Sequence, residues 1–245
     1  MRQHSTCAIC SEVDLTAPVL SLKDVRYRWP GRASFELNIP EFSLASAETV
    51  LLLGESGSGK STLLSLICGT ITAQLGAVNV AGTDIATLSA SKRDQFRAEQ
   101  IGLIFQQFNL LPFASVLDNI LLPLRFAPQR RGRVPAATDA AFELCRDLGL
   151  PPETVNAKAG TLSVGQQQRV AAARALIGAP PLIIADEPTS SLDAATQVTF
   201  LKLLFSQVRA HNSTLLMVSH DTRLSEYFDR TVQISDITKP AEVTA

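Results

Sequence analysis

The chain has 245 residues, 46% of them apolar and 18% charged, with a formal net charge of −1. That length holds one large core or a core with a smaller lobe, and a charged fraction below the roughly 25% usual for soluble domains leaves room for one extra apolar face, such as a partner interface. Near-neutral charge excludes a basic field for nucleic acid or an anionic membrane, and no run approaches the roughly 18 consecutive apolar residues of a bilayer span.

Residues 1–17 read as a disordered leader with no apolar segment of signal-peptide type. The chain is therefore expected in the cytoplasm, reaching a membrane only through a partner. The leader carries Cys7 and Cys10 as a lone C-x-x-C, and Cys68 and Cys145 do not supply the second pair a zinc site wants. Partly alternating runs at 19–27 and 35–44 predict strands. The apolar run Thr49–Leu53 predicts a central strand buried on both faces, and a helix is expected from Lys60 to Gly69. Further strands are expected at 76–81 and 101–105.

Helical patterns dominate from about 107 to 165, at 115–127 and 136–149, separated by the Pro/Arg/Gly-rich stretch 128–135. That basic stretch reads as a solvated connection. Beyond it come a helix at 166–178, a strand at 181–186, a helix at 194–210, a strand at 214–219, a short helix near 221–228 and a last strand near 231–235. The organisation expected is thus an α/β domain over 18–238, interrupted by a helical subdomain at about 107–165, with a flexible tail from 239 to 245.

Two motifs carry chemistry. Gly54-Glu55-Ser56-Gly57-Ser58-Gly59-Lys60-Ser61 fits G-x-x-x-x-G-K-[ST] between an apolar strand and a helix. Glycines let successive backbone N–H groups turn inward onto phosphate oxygens. The helix starting at Lys60 adds its positive end. Lys60 reaches the β- and γ-phosphates and the Ser61 hydroxyl ligates Mg²⁺, with Thr62 next along the same turn. The second motif is the apolar strand that ends in Asp186-Glu187. Asp186 can hold Mg²⁺ through its water shell. Glu187, one residue on, is placed to orient or deprotonate an attacking water. The loop alone says only P-loop NTPase.

The remaining motifs narrow the class. Leu162-Ser163-Val164-Gly165-Gln166, just ahead of the acidic strand, resembles the signature of ABC transporter ATPases, usually written L-S-G-G-Q. Asp186-Glu187-Pro188-Thr189 with Ser191-Leu192-Asp193 resembles that family's Walker B and D-loop, Ser219-His220 its H-loop, and Phe105-Gln106 its Q-loop. Trp29 stands where the family places an aromatic on adenine, with Tyr27 as the alternative. The resemblance covers roughly residues 19–235.

This resemblance implies a P-loop core with a small antiparallel β portion and a helical subdomain. It also implies two copies facing head to tail, each ATP lying between the phosphate loop of one copy and the signature of the other. Ser163, Gly165 and Gln166 would then meet the γ-phosphate side of the partner's nucleotide, His220 would hold the γ-phosphate, and Gln106 would ligate Mg²⁺ or position water. Asp193 would couple the two sites. Position 164 departs from the family's glycine. A β-branched residue resists positive φ, so either that backbone position is ordinary or the site is weakened; the first reading is favoured because Ser163 and Gly165 remain.

The run 104–112, IFQQFNLLP, resembles the macrolide-exporter and lipoprotein-releasing branch. In that branch the ATPase works under a separate transmembrane subunit, at the inner face of the membrane, powering export, lipoprotein release or mechanotransmission. Two other classes stay open: a regulatory ABC ATPase of the cell-division (FtsE) type that moves no substrate, and a soluble ABC ATPase without a membrane partner. Val116, Leu117, Ile120, Leu121, Leu122, Leu124 and Phe126, with Phe108, Leu110, Leu111 and Phe113 ahead of them, cover more than one helix face. They line either a groove for a membrane subunit's coupling helix or a deeply buried helix.

Overall fold

The computed structural model describes residues 17–30, 36–190 and 192–239. The leader with Cys7 and Cys10, residue Ser191 and the tail from 240 lie outside them. In chain order the elements are β1 (Leu20–Arg28), β2 (Glu36–Leu44), β3 (Thr49–Leu53), α1 (Lys60–Ile67), β4 (Leu75–Val80), β5 (Thr83–Asp84), α2 (Ala90–Gln100) and β6 (Ile101–Ile104). They continue as α3 (Val116–Leu121), α4 (Pro128–Gly132), α5 (Ala137–Asp147), α6 (Val164–Leu176), β7 (Leu182–Asp186), α7 (Ala194–Ala210), β8 (Thr214–Ser219), β9 (Arg230–Gln233) and α8 (Ile234–Ile237).

The strands form two sheets. One is antiparallel, in the order β2-β1-β4-β5; the other is parallel, in the order β6-β7-β8-β3-β9. All five residues of β3 are buried. Side chains alternate along a strand, so Val50 and Leu52 enter a core shared with α1 and the antiparallel sheet, while Leu51 and Leu53 enter a second core built with α3, α5, α6 and α7. This is why β3 reads as continuously apolar: it has no solvent face. No helix of the described residues is long and apolar enough to cross a membrane.

Helix α6 lies close on β6. A Cβ at Gly102 would come within 2.2 Å of the Ala175 carbonyl oxygen, and Ala171, Ala172 and Ala173 are fully buried. Small residues on both elements permit this approach. The expected helix over 115–127 is α-helical only to Leu121 and continues as a 3₁₀ turn over Leu122–Arg125. Pro123 removes a backbone donor there.

One element was not anticipated and one expectation is corrected. Residues 90–100 gave no helical expectation, because ASKRDQFRAEQ carries no apolar stripe, yet they form α2, capped by the Ser89 hydroxyl. The stretch 128–135, read as a solvated connection, contains α4, and Arg130 within it is only 1% exposed. Its guanidinium donates from Nε to Ile177 O at 2.6 Å, from Nη2 to Ala175 O at 2.6 Å and from Nη1 to Ala98 O at 3.1 Å. It thereby satisfies two carbonyls that the end of α6 leaves without helical partners, and one in the last turn of α2. Glu99, also buried, accepts from the backbone N–H groups of Gln129 and Arg130 at 3.0 and 2.7 Å. Burial draws the Arg130 guanidinium down to about 9, Arg133 adding to the shift and Glu99 opposing it; it stays charged at neutral pH.

Candidate functional site

The carboxyl ends of the parallel strands converge on a cavity of about 740 Å³. Its floor is the loop joining β3 to α1. Gly57 (φ 82) and Gly59 (φ 102) sit in left-handed backbone that only glycine adopts freely. Gly54 is needed for a different reason: a Cβ there would meet Ile234 Cγ2 at 2.6 Å and Ser58 Oγ at 2.8 Å. Ser58 Oγ donates to Glu55 O at 2.8 Å and tightens the loop.

Of the residues singled out from sequence, Glu55, Ser56, Gly57, Gly59, Lys60, Ser61, Thr62, Trp29, Gln106, Asp186, Glu187 and His220 all line this cavity. Lys60 opens α1 and is largely buried, its Nζ donating to Gly54 O and Glu55 O at 2.6 Å each. An ammonium has three donors, so one remains for a phosphate oxygen. Trp29 is half-buried, and its Nε1 donates to Thr62 Oγ1 at 3.1 Å. Tyr27 packs edge-on behind it, ring centroids 5.2 Å apart, and is buried. Trp29 therefore borders the cavity, and Tyr27, packed against it, does not.

Asp186 ends β7 and Gln106 follows β6. Burial raises the Asp186 carboxyl above its ordinary value, Glu187 adds to this, and Lys60 acts against it. Glu187 has φ 43, a conformation that costs a non-glycine residue about 1–3 kcal/mol unless its surroundings hold it. Its N–H donates to Val218 O at 2.9 Å, and its Oε1 lies 3.1 Å from His220 Nδ1. A carboxylate only accepts, so the contact assigns the hydrogen to Nδ1 of His220.

The donor set also fits a hard divalent cation. Among the described residues no three His, Cys, Asp or Glu side chains cluster as a metal cage. The Ser61 hydroxyl, the Gln106 amide and the Asp186 carboxylate instead border one cavity as oxygen donors. That pattern suits Mg²⁺, which keeps waters and substrate phosphates as its other ligands.

Ser163, Gly165, Gln166 and Asp193 are not brought to this cavity. Ser163 is exposed and caps α6, its Oγ accepting from Gln166 N at 3.3 Å while its N–H donates to Gln166 Oε1 at 3.0 Å. Val164 is the first residue of α6, 49% exposed, and is not among the positive-φ positions. Its backbone is thus ordinary, and valine strains nothing there. A Cβ at Gly165 would meet no atom within 4 Å, so nothing within this chain requires glycine there. Asp193 caps α7 through Thr196 N at 3.0 Å and Thr196 Oγ1 at 2.7 Å, and these bonds hold its carboxyl below the usual range.

Sequence reasoning passed over the residues behind the acidic turn. Gln197 Nε2 donates to Thr189 Oγ1 at 2.9 Å, and Gln168 Nε2 to Pro188 O at 2.7 Å. The helical phase of α6 held the signal for Gln168, since it falls in step with buried Ala171, Ala172 and Ala175. Asp221, hydrogen-bonded to Arg223, is pushed down to about 2 just after His220.

A second concavity, about 630 Å³, is lined by Ile101, Leu103, Phe105, Leu122, Pro123 and Phe126 with Asp94 and Arg174 among its polar groups. The apolar surplus of 108–126 divides between both readings: Phe108, Val116, Ile120 and Leu124 are buried, whereas Phe113 and Phe126 are 74% and 65% exposed.

Comparison with known proteins bears on this geometry. A family model described as ABC transporter matches residues 37–190. The uncharacterized ABC transporter ATP-binding protein YbbA of Escherichia coli K12 is 39% identical over 208 residues, covering 83% of this chain and 89% of that one. The macrolide export ATP-binding/permease protein MacB of Rhodopirellula baltica is 38% identical over 194 residues, covering 79% of this chain but only 28% of that protein. Among solved structures, the dimeric post-hydrolysis state of the ATP-binding cassette MJ0796 bound to ADP and Pi superposes with a TM-score of 0.72 at 32% identity, covering 87% of this chain and 93% of that one.

Proposed function

The chain belongs to the ABC transporter family, and from that premise we propose that it is the ATP-hydrolysing subunit of a membrane complex, acting as a dimer. The observation that carries this reading is the single cavity that gathers the phosphate loop, Trp29, Gln106, Asp186, Glu187 and His220. Trp29 stacks on the adenine. The loop amides and Lys60 bind the phosphates, and Mg²⁺ held near Ser61, Gln106 and Asp186 would neutralise phosphate charge. Glu187 accepts a proton from water as the water oxygen bonds to the γ-phosphorus and the bond to the ADP oxygen breaks. His220 orients the Glu187 carboxylate and reaches the γ-phosphate.

In this reading Ser163, Gly165 and Gln166 serve the nucleotide of a second copy, which accounts for their position away from their own cavity. Asp193 would couple the two sites. The dimeric state of the similar cassette MJ0796 supports this arrangement. The concavity beside Phe126, lined jointly by α2, β6 and the helical subdomain of about 107–165, would receive a transmembrane subunit at the inner face of the cell membrane. Similarity to YbbA supports a separate ATP-binding subunit, similarity to the macrolide export ATP-binding/permease protein MacB supports export, and similarity to the lipoprotein-releasing system ATP-binding protein LolD of Xanthomonas oryzae supports lipoprotein release, with mechanotransmission a third form of the same work.

The test uses the chain's one tryptophan. Adding Mg-ATP is expected to change Trp29 emission saturably, with phosphate released on turnover. Lys60→Ala should weaken the response at least about tenfold, the loss of one charge-assisted phosphate contact. An unchanged titration in Lys60→Ala, or no phosphate release from the wild type with or without its membrane partner, would overturn the reading.

A further inference from the structure

Helix α6 carries a buried polar tie to the turn that holds Glu187. Gln168 is 0% exposed, and its Nε2 donates to the Pro188 carbonyl at 2.7 Å. Burying an amide is unfavourable unless it is hydrogen-bonded, and Gln168 sits on a helix face otherwise filled by alanines. Among the described residues nothing donates to its Oε1. Packing alone gives no reason for glutamine at this position; the bond to Pro188 does.

That bond falls beside a strained residue. Glu187, at φ 43, persists only if its neighbours hold it. Its N–H is fixed to β8 through Val218 O at 2.9 Å, and its carbonyl accepts from Ser190 N at 3.3 Å. One residue on, Gln168 holds the Pro188 carbonyl; two on, Gln197 of α7 holds the Thr189 hydroxyl. The turn is thus tied to β8, α6 and α7. Of these, α6 is the helix that begins at Ser163-Val164-Gly165, less than two turns before Gln168.

We propose that Gln168 is a positioning residue that joins the signature end of α6 to the Glu187-Pro188 turn, so that engagement of Ser163 by a second copy's nucleotide aligns the Glu187 carboxylate with the attacking water. The inference rests on the reading of Glu187 as the base. It adds a path inside one chain from the contact between copies to the base.

The test compares wild type, Glu187→Gln, Gln168→Met and Gln168→Glu, all in the full chain. Methionine fills similar space but donates nothing. Gln168→Met should lower kcat by about tenfold to a hundredfold, the scale set by misplacing a catalytic group. The KM for Mg-ATP and the midpoint of the Trp29 titration should stay at wild-type values, and in the Glu187→Gln background the ATP-dependent rise in mass should persist. Gln168→Glu offers a donor to Pro188 O only when protonated, and burial raises the pKa of such a carboxyl. Its kcat, as a ratio to wild type at the same pH, should rise as pH falls from about 8 to about 6. Glu187, Asp186 before it and His220 against it are the ionisable side chains around that turn and are common to both proteins, so the ratio isolates position 168. Wild-type kcat in Gln168→Met, or a joint shift of kcat and KM with a flat Gln168→Glu ratio, overturns the proposal. If Gln168→Met does not fold, the Gln168→Glu ratio decides. Wild-type hydrolysis by Glu187→Gln would instead strike at the base assignment beneath it.

Discussion

Replacing Glu187 by glutamine is expected to cut steady-state ATP hydrolysis by about 10²–10⁴-fold, the range contributed by a positioned general base, while the Trp29 emission response to Mg-ATP persists. The residue is held for this task in three ways. Its backbone is strained at φ 43, its N–H is fixed to Val218 O, and its carboxylate meets His220 Nδ1 at 3.1 Å. Glutamine keeps the shape and the contact to His220 but cannot take a proton from water. Phosphate release by the variant and the wild type, measured at saturating Mg-ATP, checks this. A loss of less than about tenfold would show that Glu187 is not the base.

Replacing Arg130 by methionine is expected to destabilise the fold by about 3 kcal/mol or more. The variant leaves the Ala175 and Ile177 carbonyls without their charged donor, and each orphaned buried acceptor costs about 1–3 kcal/mol. It also removes a guanidinium charge that interacts with buried Glu99. The urea midpoint should fall with an unchanged slope. Arg130→Lys should recover little of the loss, because an ammonium lacks the planar fork that reaches several carbonyls at once. A midpoint within error of wild type for Arg130→Met would remove Arg130 from the supports of α6.

These two residues mark how far the sequence could be read. Glu187 was legible because chemistry dictated residue types at fixed spacing: a glycine loop, a lysine, and a carboxylate pair closing an apolar strand. The same holds for β3, none of whose five residues faces solvent, and for α7, which follows its cap at Asp193. Arg130 was not legible. A basic, Pro/Gly-rich stretch looks the same whether its arginines face water or an orphaned helix end, and only the tertiary approach of α6 decides. Helix α2 escaped because a polar helix pinned at its edges, by Ser89 at the start and by Arg97 to Cys68 O at 3.1 Å, shows no apolar period. The left-handed backbone of Glu187 is likewise set by its neighbours.

Val164 shows a doubt that conformation removes. From sequence it could mean a weakened site, since valine resists positive φ; as the first residue of α6 it occupies ordinary helical backbone. Its side chain is half exposed beside Ser163, on the surface a second copy would meet.

The central claim is that the nucleotide cavity of one copy is completed by Ser163 and its neighbours from another. It is tested most directly by the solution mass of Glu187→Gln with and without Mg-ATP, followed by light scattering. The account predicts a monomer that doubles its mass on ATP binding, and a Glu187→Gln, Ser163→Ala double variant that binds ATP but stays monomeric. A Glu187→Gln protein that binds ATP and remains monomeric with its membrane partner present, or a double variant that dimerises as well as Glu187→Gln alone, would contradict it.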